Sequence, residues 1–277
     1  MPNKVFTVDL EEYYHAENIL YSIPESTISA LPGRLEIGAR KILDALERTG
    51  NKATFFVLGC LARENKDLLR EIVGLGHEIA SHGYQHIRLS RHTPMTFETD
   101  LSDSINALSD ITGRKIIGHR ATSFSFSENA PWFFDTLKKF GIAYDSSMAY
   151  SLFRKCIHRI EERAKLCEAE SGILEFPVSF IKIWPIKMPL GGGYFRACPY
   201  WLTRSRLRQE RQRSGLPDVF YIHPWELDAG QPRFKIAASK YFRHYFNLGS
   251  TEEKLKRLLG DIKFVSFADF LKGNLAN

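Results

Sequence analysis

Short apolar runs alternate along this chain with longer stretches whose apolar residues recur at helical spacing. Lys4 to Val8 reads as a buried strand ending in Asp9. Ala53 to Leu58, His77 to Ala80, Ile116 to Gly118, Ile142 to Tyr144, Val219 to Ile222 and Phe264 to Phe267 read as further strands. Between them, Gly38 to Thr49 places Ala39, Ile42, Leu43 and Leu46 on one helical face and stops at Gly50. Leu61 to Leu75, Thr96 to Thr112, Ala130 to Phe140 and Glu252 to Leu259 also read as helices, and a short helix closes the chain. Gly76, Gly113 and Gly141 follow three of these helices as stops. The alternation predicts an α/β fold with a parallel sheet, and repeated βα units over this length suit a barrel. Functional residues of such a barrel gather at the carboxyl ends of its strands. Residues 151–215 break the rhythm with a basic stretch, an apolar Pro-containing stretch and Gly191-Gly192-Gly193. They read as an insertion or decoration within one domain spanning residues 1–277.

Composition narrows the classes. Hydrophobic residues make up 44% and charged residues 25%, which excludes a disordered or fibrous chain. The net charge of +6 suits an anionic partner or a membrane surface without requiring one. Cys60, Cys156, Cys167 and Cys198 form no CxxC pair, which argues against a disulfide framework or a cysteine zinc site and fits a reducing compartment. No apolar run reaches the ~20 residues that span a bilayer, and no signal-peptide pattern is visible, so the expectation is a soluble, cytoplasmic protein.

Polar residues cluster where strands end. Asp9 and Glu11 are two apart, so an extended segment points both carboxylates the same way, as a base and a metal ligand require. His82 and His86 share one face of a helical turn at the i, i+4 spacing common for one divalent metal. Arg120 sits where a guanidinium can orient a carboxylate. Asp145 opens Asp145-Ser146-Ser147 after another strand, and His223 ends a strand before Pro224. Each alone reads more readily as an ordinary surface side chain, but their recurrence at successive strand ends is hard to reconcile with accident.

The order DxE, SHxxxH, an arginine after a strand, Asp-Ser-Ser and His-Pro resembles the NodB-type polysaccharide deacetylases, metal-dependent carbohydrate esterases. Within them, Phe6-Thr7-Val8-Asp9-Leu10-Glu11-Glu12-Tyr13-Tyr14-His15 is similar to the subgroup found with exosortase-linked exopolysaccharide loci. So are Gly191-Gly192-Gly193-Tyr194-Phe195-Arg196, Pro199-Tyr200-Trp201 and His223-Pro224-Trp225-Glu226-Leu227-Asp228. The resemblance runs from Val5 to about Gly260. It implies a distorted (β/α) barrel of about seven parallel strands. It also implies a divalent metal on His82, His86 and an acidic residue, with zinc first and cobalt, nickel or manganese as alternatives. The family pattern commonly has adjacent aspartates, whereas Leu10 stands here, so Asp9 maps to the base and Glu11 to the ligand, with Glu12 the weaker claimant. Arg120 then positions the base, the Ser123 backbone N–H helps hold an oxyanion, and His223 is the general acid with Asp145 as its acidic partner.

The implied reaction is removal of N-acetyl groups from amino sugars of a bacterial exopolysaccharide or its precursor. Alternatives are a same-fold hydrolase of a small cyclic amide or ureide, and a carbohydrate-binding protein without catalysis. Trp225, Tyr194 and Trp201, with Trp184 nearby, are candidates to stack on sugar rings. Arg204, Arg206, Arg208, Arg211 and Arg213 read as a solvated face or as a contact for an acidic glycan or membrane surface. No nucleic-acid motif accompanies the charge, which argues against nucleic acid. The resemblance implies an N-acetylated poly- or oligosaccharide as partner, and the basic run leaves peripheral membrane contact open.

Overall fold

The computed structural model describes residues 3–127, 129–149, 168, 170–183, 186–209 and 216–275. Apolar residues alternating with turns fold into β1 (Lys4–Leu10), β2 (Ala53–Val57), β3 (Glu78–Ser81), β4 (Gly118–His119), β5 (Tyr144–Asp145), β6 (Leu174–Glu175), a hairpin of β7 (Phe180–Ile183) and β8 (Ile186–Pro189), and β9 (Asp218–Ile222). The main helices are α1 (Leu35–Thr49), α2 (Lys66–Gly74), α3 (Pro94–Thr112), α4 (Trp132–Lys139), α5 (Gly192–Ala197), α6 (Tyr200–Arg208), α7 (Ala238–Tyr245), α8 (Leu248–Asp261) and α9 (Phe267–Leu275).

Seven strands pair in the order β6-β5-β4-β3-β2-β1-β9, all parallel. The interior strand β1, between β2 and β9, is buried from Val5 to Leu10, as expected of a parallel strand covered on both faces. One face packs on the amphipathic helices through residues such as Phe6, Val8, Leu43 and Leu46. The outer strands β6 and β9 do not pair with each other, so the sheet is a curled half-barrel. The chain between them spans the seam: Val178 N–H donates to the Met148 carbonyl at 2.9 Å, and Ser179 N–H donates to Val219 at 3.1 Å.

Two glycines set close approaches that position the site. Gly191 (φ 148°) crosses β9, where a Cβ would lie 2.1 Å from the Tyr221 carbonyl oxygen. On α1, a Cβ at Gly38 would lie 1.9 Å from the Pro224 carbonyl oxygen. The turn after β9 therefore rests directly on helix backbone.

Several elements depart from the sequence expectation. The expected helix over Leu61 to Leu75 is two pieces, Gly59–Ala62 and α2, because Asn65 leaves helical dihedrals and its side chain donates to the Leu61 carbonyl. Phe264 to Phe267 is not a strand. Val265 makes one bridge to Val5, and the Ser266 hydroxyl then accepts the Asp269 N–H, capping α9. The hairpin β7–β8 and the helices α5 and α7 were not anticipated.

Candidate metal centre

The carboxyl ends of β1, β3, β4 and β9 converge on one buried cluster. Asp9 lies on β1 and faces β4. Its Oδ1 accepts from Arg120 Nη1 at 2.5 Å, and the same nitrogen donates to Thr7 Oγ1 at 2.9 Å. Arg120 is fully buried, and its Nε and Nη2 donate to the Ser146 carbonyl and hydroxyl at 3.1 and 3.0 Å. Its guanidinium carbon lies 4.0 Å from the Phe56 ring centroid. With these partners fixed, the guanidinium leaves the Asp9 carboxylate little rotational freedom.

Glu11 is the first residue past the end of β1. Its Oε2 lies 2.9 Å from His86 Nε2 and 4.0 Å from His82 Nε2. One ligand atom from each of Glu11, His82 and His86 lies within 4.8 Å of the others. His82 Nδ1 lies 2.8 Å from the Arg120 carbonyl oxygen. A carbonyl only accepts, so Nδ1 carries the hydrogen and the neutral ring keeps its lone pair on Nε2. Burial pushes His82 down to about 4 against the pull of Asp9 and Glu11, so the ring is neutral at pH 7. Burial alone would raise the Glu11 pKa, but the charge and hydrogen bond of His86, with His223 and His82, hold it well below the usual carboxylate range. Two imidazole nitrogens and one carboxylate form the donor set of a divalent first-row metal, and the residues present fit one. His86 Nδ1 is buried without a partner among the described residues. His15 stacks on the His86 ring with centroids 5.7 Å apart.

Glu12 is occupied elsewhere. Its carboxylate accepts the N–H groups of Arg34 at 2.8 Å and Leu35 at 2.9 Å, and so caps the start of α1.

His223 enters from β9. Its Nε2 lies 3.8 Å from both Asp9 Oδ2 and Glu11 Oε1. Its Nδ1 lies 2.8 Å from Glu226 Oε1. Burial would lower the His223 pKa, but the Glu226 hydrogen bond and the charges of Glu11, Glu226 and Asp9 raise it to about 9. Glu226 is itself buried. Burial opposes its charge, yet Arg196 and His223 keep its pKa below the ordinary value.

Asp145, expected to partner His223, does something else. Its Oδ1 accepts from His119 Nδ1 at 2.7 Å and from the Ser147 hydroxyl at 2.8 Å. Ser147 Oγ in turn accepts the Ala121 N–H at 2.7 Å. Asp145 thus braces the loop that carries Arg120 and Ser123, and the carboxylate on His223 is Glu226. In that loop Ser123 and Phe124 both have positive φ, 57° and 47°, a strained pair for residues with side chains.

The expected sugar-stacking residues separate. Trp225 is only 8% exposed, stacks on His223 and His244, and donates its indole N–H to Glu11 Oε1 at 3.2 Å. It supports the candidate ligand Glu11 from within, and its burial leaves little of its ring face open to a sugar. Trp201 is 64% exposed on α6. That helix is tied by Tyr200 to Asp261 and by Arg206 to Asp218, the first residue of β9, at the end of the sheet away from the cluster. A role for Trp201 at this site is therefore set aside. Tyr194 is half-buried on α5, whose glycines pack on Tyr221. Within the basic run, Arg204 and Arg206 pair with Asp261 and Asp218. Trp184, Arg211, Arg213, Cys156, Cys167 and His158 lie outside the described residues.

Glu226 and Arg196 were missed as functional residues. Glu226 stands three residues after His223, a capping spacing that could have flagged it. Arg196 offered only its place in the glycine-rich motif.

Residues 35–144 match the family profile described as polysaccharide deacetylase, and residues 146–272 match a domain of unknown function, DUF3473. Residues 35–144 therefore carry a polysaccharide deacetylase domain on the NodB fold, and a DUF3473 segment follows it directly. Among curated proteins it is similar to a peptidoglycan deacetylase of Helicobacter pylori, at 29% identity over 43% of this chain and 39% of that protein. It is also similar to a chitooligosaccharide deacetylase of Sinorhizobium fredii, at 42% identity over 18% of this chain and 23% of that protein. The matches thus span less than half the length of these relatives. Among solved structures, a Mycobacterium smegmatis protein assigned to the polysaccharide deacetylases shares the fold with a TM-score of 0.62. Its identity is 20%, over 98% of this chain and 89% of that one.

Proposed function

We propose that this protein is a metal-dependent hydrolase that removes N-acetyl groups from amino sugars of a bacterial exopolysaccharide or its precursor. One observation carries the reading: Glu11, His82 and His86 offer ligand atoms within 4.8 Å of one another, beside Asp9 and His223. The relatives named for peptidoglycan and chitooligosaccharide deacetylation support an N-acetylated glycan as substrate. The narrower exopolysaccharide assignment rests on the motif resemblance of residues 6–15, 191–196 and 223–228.

A divalent cation, zinc in the first instance, would be held by Glu11, His82 and His86 and would supply polarisation of an amide carbonyl and a lowered pKa for water. Asp9, locked by Arg120, takes the proton of the attacking water. The Ser123 backbone N–H faces the developing oxyanion. His223, held at Nδ1 by Glu226, gives the proton on Nε2 to the departing amine. Tyr194 remains the aromatic candidate for stacking on the sugar.

Elemental analysis of purified protein, combined with acetate release from a panel of acetylated glycans, tests the reading. About one divalent metal per chain and acetate release from N-acetylhexosamine oligomers are expected. Turnover of cyclic amides instead, or sugar binding without turnover after loading with zinc, cobalt or nickel, overturns it.

A further inference from the structure

Two motifs far apart in sequence, the glycine-rich Gly191–Arg196 and His223–Asp228, meet at a single buried ion pair. Arg196 Nε donates to Glu226 Oε2 at 2.7 Å, and both side chains are essentially buried. The other carboxylate oxygen, Oε1, serves His223, accepting from its Nδ1 at 2.8 Å and its backbone N–H at 3.1 Å. Glu226 thus bridges the two groups, one oxygen for each.

The arginine is itself immobilised. Its Nη1 donates to the carbonyls of His244 at 3.0 Å and Phe246 at 2.5 Å, and its Nη2 to that of Arg243 at 3.1 Å. These acceptors are carbonyls at the C-terminal end of α7, where positive charge is favoured. The guanidinium carbon also lies 5.5 Å from the Trp225 ring centroid, and Trp225 donates to Glu11. Three main-chain acceptors and one carboxylate use the fork of a guanidinium, a pattern that one ammonium group cannot reproduce. Gly191 and Gly192 explain why the arginine reaches this point. Their close approach to Tyr221 on β9 lays α5 against the strand that carries His223.

We propose that Arg196 is a positioning residue for the deacetylation reaction: anchored on the C-terminal carbonyls of α7, it claims one oxygen of Glu226 and so commits the other to His223 Nδ1–H, aiming Nε2 at the metal side. This rests on the hydrolase reading above. In that reaction the C–N bond breaks, its electron pair passes to the amine nitrogen, and that nitrogen takes the proton from His223 Nε2. Nδ1–H stays on Glu226 throughout. Arg196 touches no reacting atom.

The division of the two oxygens gives the test a sign that a purely structural arginine would not produce. In Glu226→Gln the side chain has a single carbonyl oxygen. Arg196 can only donate, so it takes that oxygen and turns the amide NH2 toward His223 Nδ1, the wrong polarity for Nδ1–H. Removing the arginine as well frees the oxygen to face His223. The experiment compares Arg196→Met, Glu226→Gln and the double variant by metal content, kcat and KM on an acetylated hexosamine oligomer, and the proton NMR signal of His223 Nδ1–H.

Expected results are an approximately 10- to 100-fold fall in kcat for Arg196→Met, with metal content and KM nearly unchanged. Glu226→Gln loses the Nδ1–H signal, and the double variant regains that signal and exceeds Glu226→Gln in kcat. The proposal is overturned if Glu226→Gln keeps the signal and wild-type kcat, or if the double variant shows the product of the two single losses. Glu226→Gln retains the arginine anchor and nearly the same volume, so its signal decides the matter even if Arg196→Met does not fold. A metal-loaded wild-type protein that releases no acetate would instead sink the hydrolase reading and leave the NMR comparison standing.

Discussion

Asp9 and Glu11 meet different partners, and that difference separates their expected roles. Asp9 faces the guanidinium of Arg120, while Glu11 faces two imidazoles and an indole N–H. Asp9→Asn is therefore expected to keep its metal and lose about 100-fold or more in turnover. Glu11→Gln, His82→Ala and His86→Ala are expected to lose metal. Elemental analysis beside kinetics checks this, and metal loss in Asp9→Asn with full occupancy in Glu11→Gln would reverse the assignment. A second residue-scale expectation concerns pH. His77 is buried, accepts the Ala53 N–H, and has its pKa lowered from 6.5 to about 4, by burial first and then by Lys52. Between those values the unfolded chain binds a proton that the folded chain does not, so stability falls as pH drops from 6.5 toward 4. The contribution from this one ring is on the order of 2 kcal/mol between pH 6.5 and 5. Urea midpoints at those two pH values should draw closer in His77→Gln. The sequence made Asp9, Glu11, His82, Arg120 and His223 visible because each sits on or just past the end of a strand, and His86 by its spacing from His82. It could not say which carboxylate reaches His223, because Asp145 and Glu226 both follow strands and only the packed structure sends Asp145 to His119.

At the scale of elements, α1 and the turn over residues 224–227 touch backbone to backbone. Alanine at a helical glycine ordinarily stabilises a helix by up to ~1 kcal/mol. At Gly38 the sign reverses, because the added Cβ would sit 1.9 Å from the Pro224 carbonyl. Gly38→Ala is expected to cost roughly 1–3 kcal/mol, read from chemical denaturation, and to lower activity by displacing the His223 turn. Long periodic helices such as α1 and α3 were legible to within a few residues, and so were the apolar strands of the central sheet. The hairpin β7–β8 and α7 were not. The hairpin's strands are four residues each and its Ile183 and Ile186 stay exposed, so no buried face sets it apart from a loop, and α7 is tied at its C-terminal end by Arg196, a contact distant in sequence.

Across the whole molecule, the two family segments are not two packages. The sheet takes β2 to β5 from the first matched segment and β6 and β9 from the second, while β1, between β2 and β9, precedes both. Residues 1–145 expressed alone would strip one of two neighbours from both β1 and β5, which lose β9 and β6. They are expected to show no cooperative unfolding transition, as measured by circular dichroism during heating. The alternation of strand and helix made the parallel sheet legible in outline, but not the open seam, because nothing in local periodicity says whether the last strand meets the first. That seam also sets the mechanics of the cluster. Glu11, His82 and Arg120 hang from strands laddered on both sides, whereas His223 follows β9, which among the described residues is laddered only to β1 and otherwise held by scattered bonds. On the proposed mechanism the proton donor therefore rides on the less-laddered margin of the sheet, and a bound glycan would displace that margin before it disturbed Glu11, His82 and His86.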